Sequence, residues 1–338
     1  MEAESITLLA IESSCDDTSA ALIRDGKVLA NIISTQLVHA KWGGIVPELA
    51  SRAHQQHIVS VVDTAIKEAN VKKSELNAIA YTGGPGLMGS LMVGSSFAKA
   101  MALALDIPTI SVHHMKAHVL AHFINDPKPK FPFICLTVSG GHTQLVLVKD
   151  YLEMDVIGTS IDDAAGEAFD KCGKIFGLSY PGGPMIDKLA KTGNSDAFQF
   201  SEPKVAHLDF SFSGLKTSVL YFINKSVAKH PNFVAENLND LCASLQKTIV
   251  NILIKKLLQA AKIHQIKDLA IAGGVSANSL LRSELLRLED KGYRPFIPEL
   301  EYCLDNAGMI AITGHYQYLK GDFARLDNEP RARWSIEE

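Results

Sequence analysis

The chain has 338 residues, about two domains at roughly 150 residues each, which is enough to bury a large core without disulfides or a structural metal. Apolar residues make up 47% and charged residues 21%, which excludes a disordered or fibrous chain. The net charge of −4, from 33 Lys and Arg against 37 Asp and Glu, gives no general attraction to nucleic acid or anionic membrane, so such a contact would need a local basic patch.

Ile6 to Ile11 reads as a short strand that ends in the polar loop Glu12-Ser13-Ser14-Cys15-Asp16-Asp17-Thr18. Ala20 to Ile23 and Val28 to Ile33 flank the turn Arg24-Asp25-Gly26-Lys27 and predict a hairpin. Pro47 suits a first helical turn, and Leu49, Ile58, Val62 and Ile66 continue an apolar helical stripe behind it. A strand at Ala78 to Tyr81, the glycine-rich loop Gly83-Gly84-Pro85-Gly86 and a helix from Met88 to Leu105 follow. Phe133 to Val138 is again a strand, Ser139-Gly140-Gly141-His142-Thr143 again a small polar loop, and Leu145 to Val148 begins the next strand. Leu269 to Ala272 with Gly273 and Gly274 repeats the pattern of Ile79 to Gly84.

This order recurs. Thr143 follows Thr18 by 125 residues and Gly273 follows Gly83 by 190, so the second half carries 65 more residues, placed between Ser160 and Lys267 where the patterns are mostly helical. Two related halves of strand, loop and hairpin followed by strand, glycine pair and helix are what the duplicated actin-like architecture of sugar kinases and heat-shock ATPases requires. The expectation is an α/β fold with two lobes around a nucleotide cleft: residues 1–130, residues 131–320 with a helical insertion at about 160–265, and a tail at 321–338. Two unrelated α/β domains with similar loops are the alternative.

Cys15, Cys135, Cys172, Cys242 and Cys303 are odd in number and form no CxxC pair, which argues against a disulfide framework or a zinc knuckle and for a reducing compartment. Met1 to Ser5 carries two glutamates and no lysine, and no charge-free run approaches the roughly 18 residues of a membrane span. A soluble cytoplasmic protein without membrane contact is therefore expected.

Ser139-Gly140-Gly141, Gly182-Gly183-Pro184 and Gly273-Gly274 let backbone N–H groups approach an anion without Cβ interference. There is no GxxxxGK[ST] and no GxGxxG opening a helix, so P-loop and Rossmann sites are unsupported. On a helix His114, His118 and His122 share one face, and a pair of imidazoles there can reach one divalent metal. His114 and His118 are read as that pair, His122 as simply packed or solvated, and Asp305 as a third ligand near a helix N-terminus. In HExxH the residue after the first histidine is a glutamate that acts as base; here it is Met115, followed by Lys116. A metal without that base is poorly placed to activate water but can still act as a Lewis acid.

Glu12, Asp16 and Asp17 form a first acidic set. Asp162, Asp163, Glu167 and Asp170, on a predicted helix, form a second, with Asp162 and Asp163 read as a solvated face. Asp187, four residues after Gly183, could add a carboxylate for ribose to N–H groups for phosphate. Lys171, Lys174, Lys216, Arg331 and Arg333 are scattered and read as surface.

The segments IESSCDDTSAAL, GGIVPELASRAH, TGGPGLMGSL, HHMKAHVLA, VSGGHTQL, GEAFDKCGKIFGLSYPGGP, FSFSGLKT, AIAGGVSAN, DNAGMIA and the terminal RARW resemble, in this order and over nearly the whole chain, the tRNA adenosine threonylcarbamoyltransferase (TsaD) family in its bacterial form, once described as sialoglycoprotein endopeptidases. The resemblance implies transfer of threonylcarbamoyl from threonylcarbamoyl-AMP to the amino nitrogen of the adenosine beside the anticodon, in tRNAs reading codons that begin with A. It implies His114, His118 and Asp305 as ligands of iron or zinc. Thr137, Val138, Ser139, Gly140, Gly141, Asp170, Gly183, Asp187 and Asn278 would bind the adenylate, and Glu12 would position substrate or transfer a proton. Its implied partners are tRNA, a paralogous actin-like subunit, a small P-loop ATPase and an upstream synthase of threonylcarbamoyl-AMP. The face around Ile58, Val62 and Ile66 is a candidate docking surface, with core burial as the competing reading.

An ATP-dependent kinase of the same fold, with Asp16 or Asp17 as base, a metallopeptidase, and a silent assembly scaffold are the alternatives. The histidine pair has no role in the first, and the second lacks its glutamate. Intact site residues argue against the third.

Overall fold

The computed structural model describes residues 5–36, 39, 42–203 and 205–338; residues 1–4, whose charge entered the targeting argument, lie outside them. The chain divides into two units, residues 1–128, 150–154 and 298–338 in the first and residues 129–149 and 155–297 in the second.

The first unit is built on strands β1 (Thr7–Glu12), β2 (Thr18–Arg24), β3 (Lys27–Ser34), β4 (Ala78–Gly84) and β5 (Thr109–His113), in the order β3-β2-β1-β4-β5. The hairpin pairs β1 with β2 antiparallel, while β1, β4 and β5 run parallel. Every residue of β1 and β4 is buried, which requires cover on both faces. Helices α1 (Pro47–Glu68) and α2 (Met88–Leu105) cover one face, where Leu9, Ile11, Ile79 and Tyr81 meet Ile58, Val62, Ile66, Ala98 and Ala102. The docking reading for Ile58, Val62 and Ile66 is therefore corrected: these residues are 4%, 4% and 7% exposed, and they belong to the core. Short α3 (His114–Leu120) follows β5 directly.

Among the described residues, α2 is the one helix long and apolar enough to cross a membrane by length and composition. It carries Lys99, and Ser90, Leu91, Gly94, Ser95, Ala98 and Ala102 are buried inside the unit.

The second unit repeats the topology with β6 (Phe133–Val138), β7 (Thr143–Val148), β8 (Met154–Thr159), β9 (Asp268–Ala272) and β10 (Arg294–Phe296), ordered β10-β9-β6-β7-β8. β6 pairs antiparallel with β7 and parallel with β9. Helices α4 (Ala165–Ile175), α5 (Gly182–Ala190), α6 (Ser213–Val227) and the long α7 (Phe233–His264) come between β8 and β9, and α8 (Ser279–Leu286) between β9 and β10. Phe169, Phe210, Phe212 and Leu245 anchor the core, each large apolar side chain contributing about 1.5–3 kcal/mol by leaving water.

Helix α9 (Ala307–Lys320) packs on β1 and β2 in the first unit. Repeat arithmetic along the chain grouped residues 298–320 with the second half; burial of α9 from Ala307 to His315 against the first sheet groups them with the first.

Candidate metal centre and acidic network

His114 opens α3 at the end of β5, and His118 lies one turn on. Asp305 stands two residues ahead of α9, whose N-cap Asn306 accepts a hydrogen bond from the Met309 amide at 3.0 Å. Asp305 Oδ1 lies 3.1 Å from His118 Nε2 and 3.5 Å from His114 Nε2. A tetrahedral ion with bonds of about 2.0–2.1 Å separates its ligands by roughly 3.3–3.4 Å, so these distances fit a shared ion. One ligand atom from each residue lies within 4.8 Å of the other two, the one such His, Cys, Asp or Glu group found among the described residues. Side-chain exposure is 1% at His118, 10% at His114 and 26% at Asp305, so the centre opens to solvent on the aspartate's side.

Behind His114 lies Glu12, with no exposed surface. Its Oε2 is 3.1 Å from His114 Nδ1 and accepts from Thr82 Oγ1 at 2.6 Å, while its Oε1 accepts from the Ser14 amide. The carboxylate thus holds the imidazole from the side away from Asp305, the arrangement in which a second shell fixes a ligand's tautomer. Glu12, expected among the substrate-positioning or proton-transferring groups, contacts His114, Thr82 and Ser14.

Burial disfavours charge on His114, yet Asp305 and Glu12 overcome it and push the imidazole up to about 10. Burial likewise works against ionised Glu12, and His114 wins, holding it below the usual carboxylate range. Two carboxylates enclosed with one imidazolium define a place that demands a cation, and a divalent ion would satisfy the same demand. His118 Nδ1 is buried without a hydrogen-bond partner.

Asp17 is pushed up to about 7 by burial, then by Asp16 and Asp305. His122, in the turn after α3, is buried. Helix α2 lies close against the loop that follows β1, since a Cβ on Gly94 would fall 2.1 Å from Ser13 Oγ.

His113 is the N-cap of α3. Its Nδ1 accepts from the amides of Met115 and Lys116 at 3.2 and 3.4 Å, and its Nε2 lies 3.2 Å from the Trp334 carbonyl. Burial pushes its pKa down to about 3, so the ring is neutral, as both contacts require.

The second unit holds the other predicted group. Thr137 and Val138 are fully buried on β6, so the strand places their side chains in the core and only their backbone borders the loop. Ser139 Oγ accepts from the amides of Gly141 and His142 at 3.4 and 3.1 Å, whereas a Cβ on Gly140 or Gly141 would meet nothing within 4 Å. Asp170 Oδ1 accepts from the amides of Gly182 and Gly183 at 2.8 and 3.3 Å. Those two N–H groups, expected to face phosphate, are thereby engaged by a carboxylate. Asp187 lies inside α5, and its Oδ1 accepts from Gln246 Nε2, the Ser279 amide and Ser279 Oγ at 2.7, 3.0 and 2.7 Å. Asn278 Oδ1 caps α8 through the Leu281 amide and accepts from Gln246 Nε2 at 3.0 Å. Gln246 and Ser279 therefore join Asp187 to Asn278, a link no spacing along the chain announces.

Asp162 and Asp163 precede α4 rather than lying on it, which corrects their reading as a solvated helix face. Asp162 accepts from the amides of Phe212 and Ser213 and from both flanking serine hydroxyls, Ser211 and Ser213, at the start of α6. Asp163 pairs with Lys171 at 2.7 Å.

Two solved structures share the fold at identities too low to carry function. Full-length coverage with a TM-score of 0.53 and 13% identity relates the chain to (R)-2-hydroxyglutaryl-CoA dehydratase component A of Acidaminococcus fermentans, over 93% of this chain and 98% of that one. HypF of T. kodakarensis matches 96% of this chain and 49% of its own, with a TM-score of 0.64 and 11% identity. These neighbours have the actin-like ATPase fold, as the repeat predicts. Sequence relatives are much nearer. The tRNA N6-adenosine threonylcarbamoyltransferase of Cytophaga hutchinsonii is 57% identical over 98% of this chain and 97% of its own, and that of Porphyromonas gingivalis is 56% identical over 98% and 99%. The family model described as tRNA N6-adenosine threonylcarbamoyltransferase matches residues 27–312. The chain belongs to the tRNA N6-adenosine threonylcarbamoyltransferase family.

Proposed function

We propose that this threonylcarbamoyltransferase takes its acyl group from threonylcarbamoyl-AMP and delivers it to the exocyclic amine of the adenosine beside the anticodon, in tRNAs reading codons that begin with A. The observation that carries the reading is the convergence of His114, His118 and Asp305 without the glutamate of a peptidase helix: Met115 stands at the position of that base, and Glu12 is committed to His114. A mixed anhydride already has AMP as leaving group, so the task is to orient the carbonyl and stabilise negative charge on its oxygen. His114, His118 and Asp305 would hold iron or zinc, which would supply Lewis acidity toward an oxygen of the acyl donor.

Within the second unit, Thr137, Val138 and the loop Ser139-Gly140-Gly141 would receive the adenylate together with Asp170, Gly183, Asp187 and Asn278. Gly140 and Gly141 support this by leaving backbone open to a ligand, and the Asp187–Gln246–Asn278 network offers polar groups held in place by mutual hydrogen bonds. A paralogous actin-like subunit, a small P-loop ATPase and an upstream synthase would work with the chain in the cytoplasm.

Mass spectrometry of nucleosides from tRNA incubated with this chain, its partners and threonylcarbamoyl-AMP tests the reading. Threonylcarbamoyladenosine formed with wild type and lost in Asp305→Ala is the expected result. Undiminished product with Asp305→Ala would overturn the metal assignment.

A further inference from the structure

We propose that His113 and the terminal Arg331-Ala332-Arg333-Trp334 segment form a positioning element for the metal-binding helix α3. The inference rests on the assignment of His114 and His118 as metal ligands.

A short helix is a weak platform for two ligands. Its first amides have no partner inside the helix, and α3 has only seven residues. His113 supplies the missing partner from its own side chain, accepting from the Met115 and Lys116 amides through Nδ1. That use of Nδ1 requires the proton on Nε2, and Nε2–H donates to the Trp334 carbonyl. One tautomer thus satisfies both ends, and the ring is clamped between the helix start and the tail.

The tail is held in turn by the glycine loop of the same unit. The Arg331 amide donates to the Gly83 carbonyl at 2.7 Å, and the Gly86 amide donates to the Ala332 carbonyl at 3.2 Å. A Cβ on Gly84 would fall 2.0 Å from the Arg331 carbonyl oxygen, so only glycine, here at φ +147°, lets the two backbones approach this closely. The Trp334 ring centroid lies 4.8 Å from that of His113, and the Arg331 guanidinium is 5.2 Å from the Trp334 ring. Ile336, two residues further on, is 3% exposed and pins the end of the chain. The RARW segment, the TGGPG loop and the histidine before the ligands are therefore one hydrogen-bonded assembly whose output is the placement of α3.

The test uses the full-length chain, stripped of metal and titrated with Co2+ as the probe, with visible absorption reporting ligand geometry and hydrogen exchange reporting the Met115 and Lys116 amides. His113→Ala should weaken Co2+ binding roughly tenfold or more, change the band intensities and speed exchange at both amides, as loss of an outer-shell partner does. His113→Asn, whose carboxamide oxygen can still cap, should recover most of the affinity. Trp334→Ala keeps the carbonyl that accepts from His113 but removes the ring packed against it; it should move all readouts in the same direction by a smaller amount, and it decides the matter if His113→Ala fails to fold. Wild-type affinity, spectrum and exchange in Trp334→Ala, and in His113→Ala where that variant folds, would overturn the inference alone. A wild-type chain whose Co2+ binding is absent, or unaffected by His118→Ala, would overturn the metal assignment and this inference with it.

Discussion

Glu12 Oε2 sits 3.1 Å from His114 Nδ1, while Asp305 Oδ1 faces the opposite nitrogen of the same ring at 3.5 Å. One imidazole is thereby held between two carboxylates, and its orientation is fixed before any ion arrives. Glu12→Gln keeps the shape of the acid but removes its charge. Metal affinity is expected to fall about 10- to 100-fold, with the fold retained, as measured by titration with Zn2+ against a chromophoric chelator.

Removing the imidazole has a different cost. A catalytic metal site with an open position should contribute little to a core, which suggests harmless alanine substitutions at its ligands. The burial of Glu12 changes that expectation for His114, because His114→Ala leaves an enclosed carboxylate without its counter-charge. We expect the metal-free variant to lose about 3 kcal/mol or more and His118→Ala to lose less, measured by denaturant unfolding. Both should abolish transfer.

Gly94→Ala sets two effects against each other. Alanine favours the interior of α2 by about 1 kcal/mol, but its Cβ would fall 2.1 Å from Ser13 Oγ, which is hydrogen-bonded to the Ser90 carbonyl at 3.0 Å. Overpacking of this kind costs about 1–3 kcal/mol, so net destabilisation is expected, together with weaker metal binding as the loop carrying Glu12 shifts. Calorimetry and metal titration on the same variant check both.

Gln246→Ala removes a side chain that bonds both Asp187 and Asn278. Leaving two polar groups short of a partner should cost about 1–3 kcal/mol. AMP binding, read by isothermal titration, is expected to weaken by roughly tenfold. Unchanged AMP affinity with reduced stability would separate a purely structural role from the proposed adenylate site.

His54 gives a pH dependence with a definite sign. It is fully buried between Thr18 Oγ1 at 2.8 Å and the Cys15 carbonyl at 3.0 Å, and burial lowers its pKa. Below its unfolded value near 6.5 the unfolded chain binds a proton that the folded chain refuses. Stability present above pH 6.5 is therefore lost as the pH falls toward the folded value, by at most about 1.4 kcal/mol per pH unit for this group. His54→Gln should flatten that limb in urea titrations between pH 6.5 and 5.

Periodicity and composition made most of this fold legible. The helix from Met88 to Leu105 and the strand from Phe133 to Val138 have the predicted ends, because each apolar run is bounded by a loop residue pattern that nothing in tertiary packing overrides. The histidine pair was readable since i and i+4 share a helix face. Pairing over long separations was not readable: Gln246 with Asp187, Glu12 with Thr82 and His113 with Trp334 each join residues 59 or more apart. Single polar residues among apolar neighbours carry no spacing signal, and α7 presents Gln246 as one more helical position. Asp162 was misread because the sequence shows its charge but not the serine-rich turn that folds back onto it.

The interleaving of the two units carries a consequence for synthesis. Residues 298–338 complete the unit that the first 128 residues begin, so on the ribosome the opening sheet must wait, with one face uncovered, until α9 has emerged. The intervening segment, nearly contiguous, can mature before that. Truncation anywhere between residues 298 and 320 should therefore injure the first unit before the second, although the lesion lies more than 160 residues beyond the sheet it uncovers.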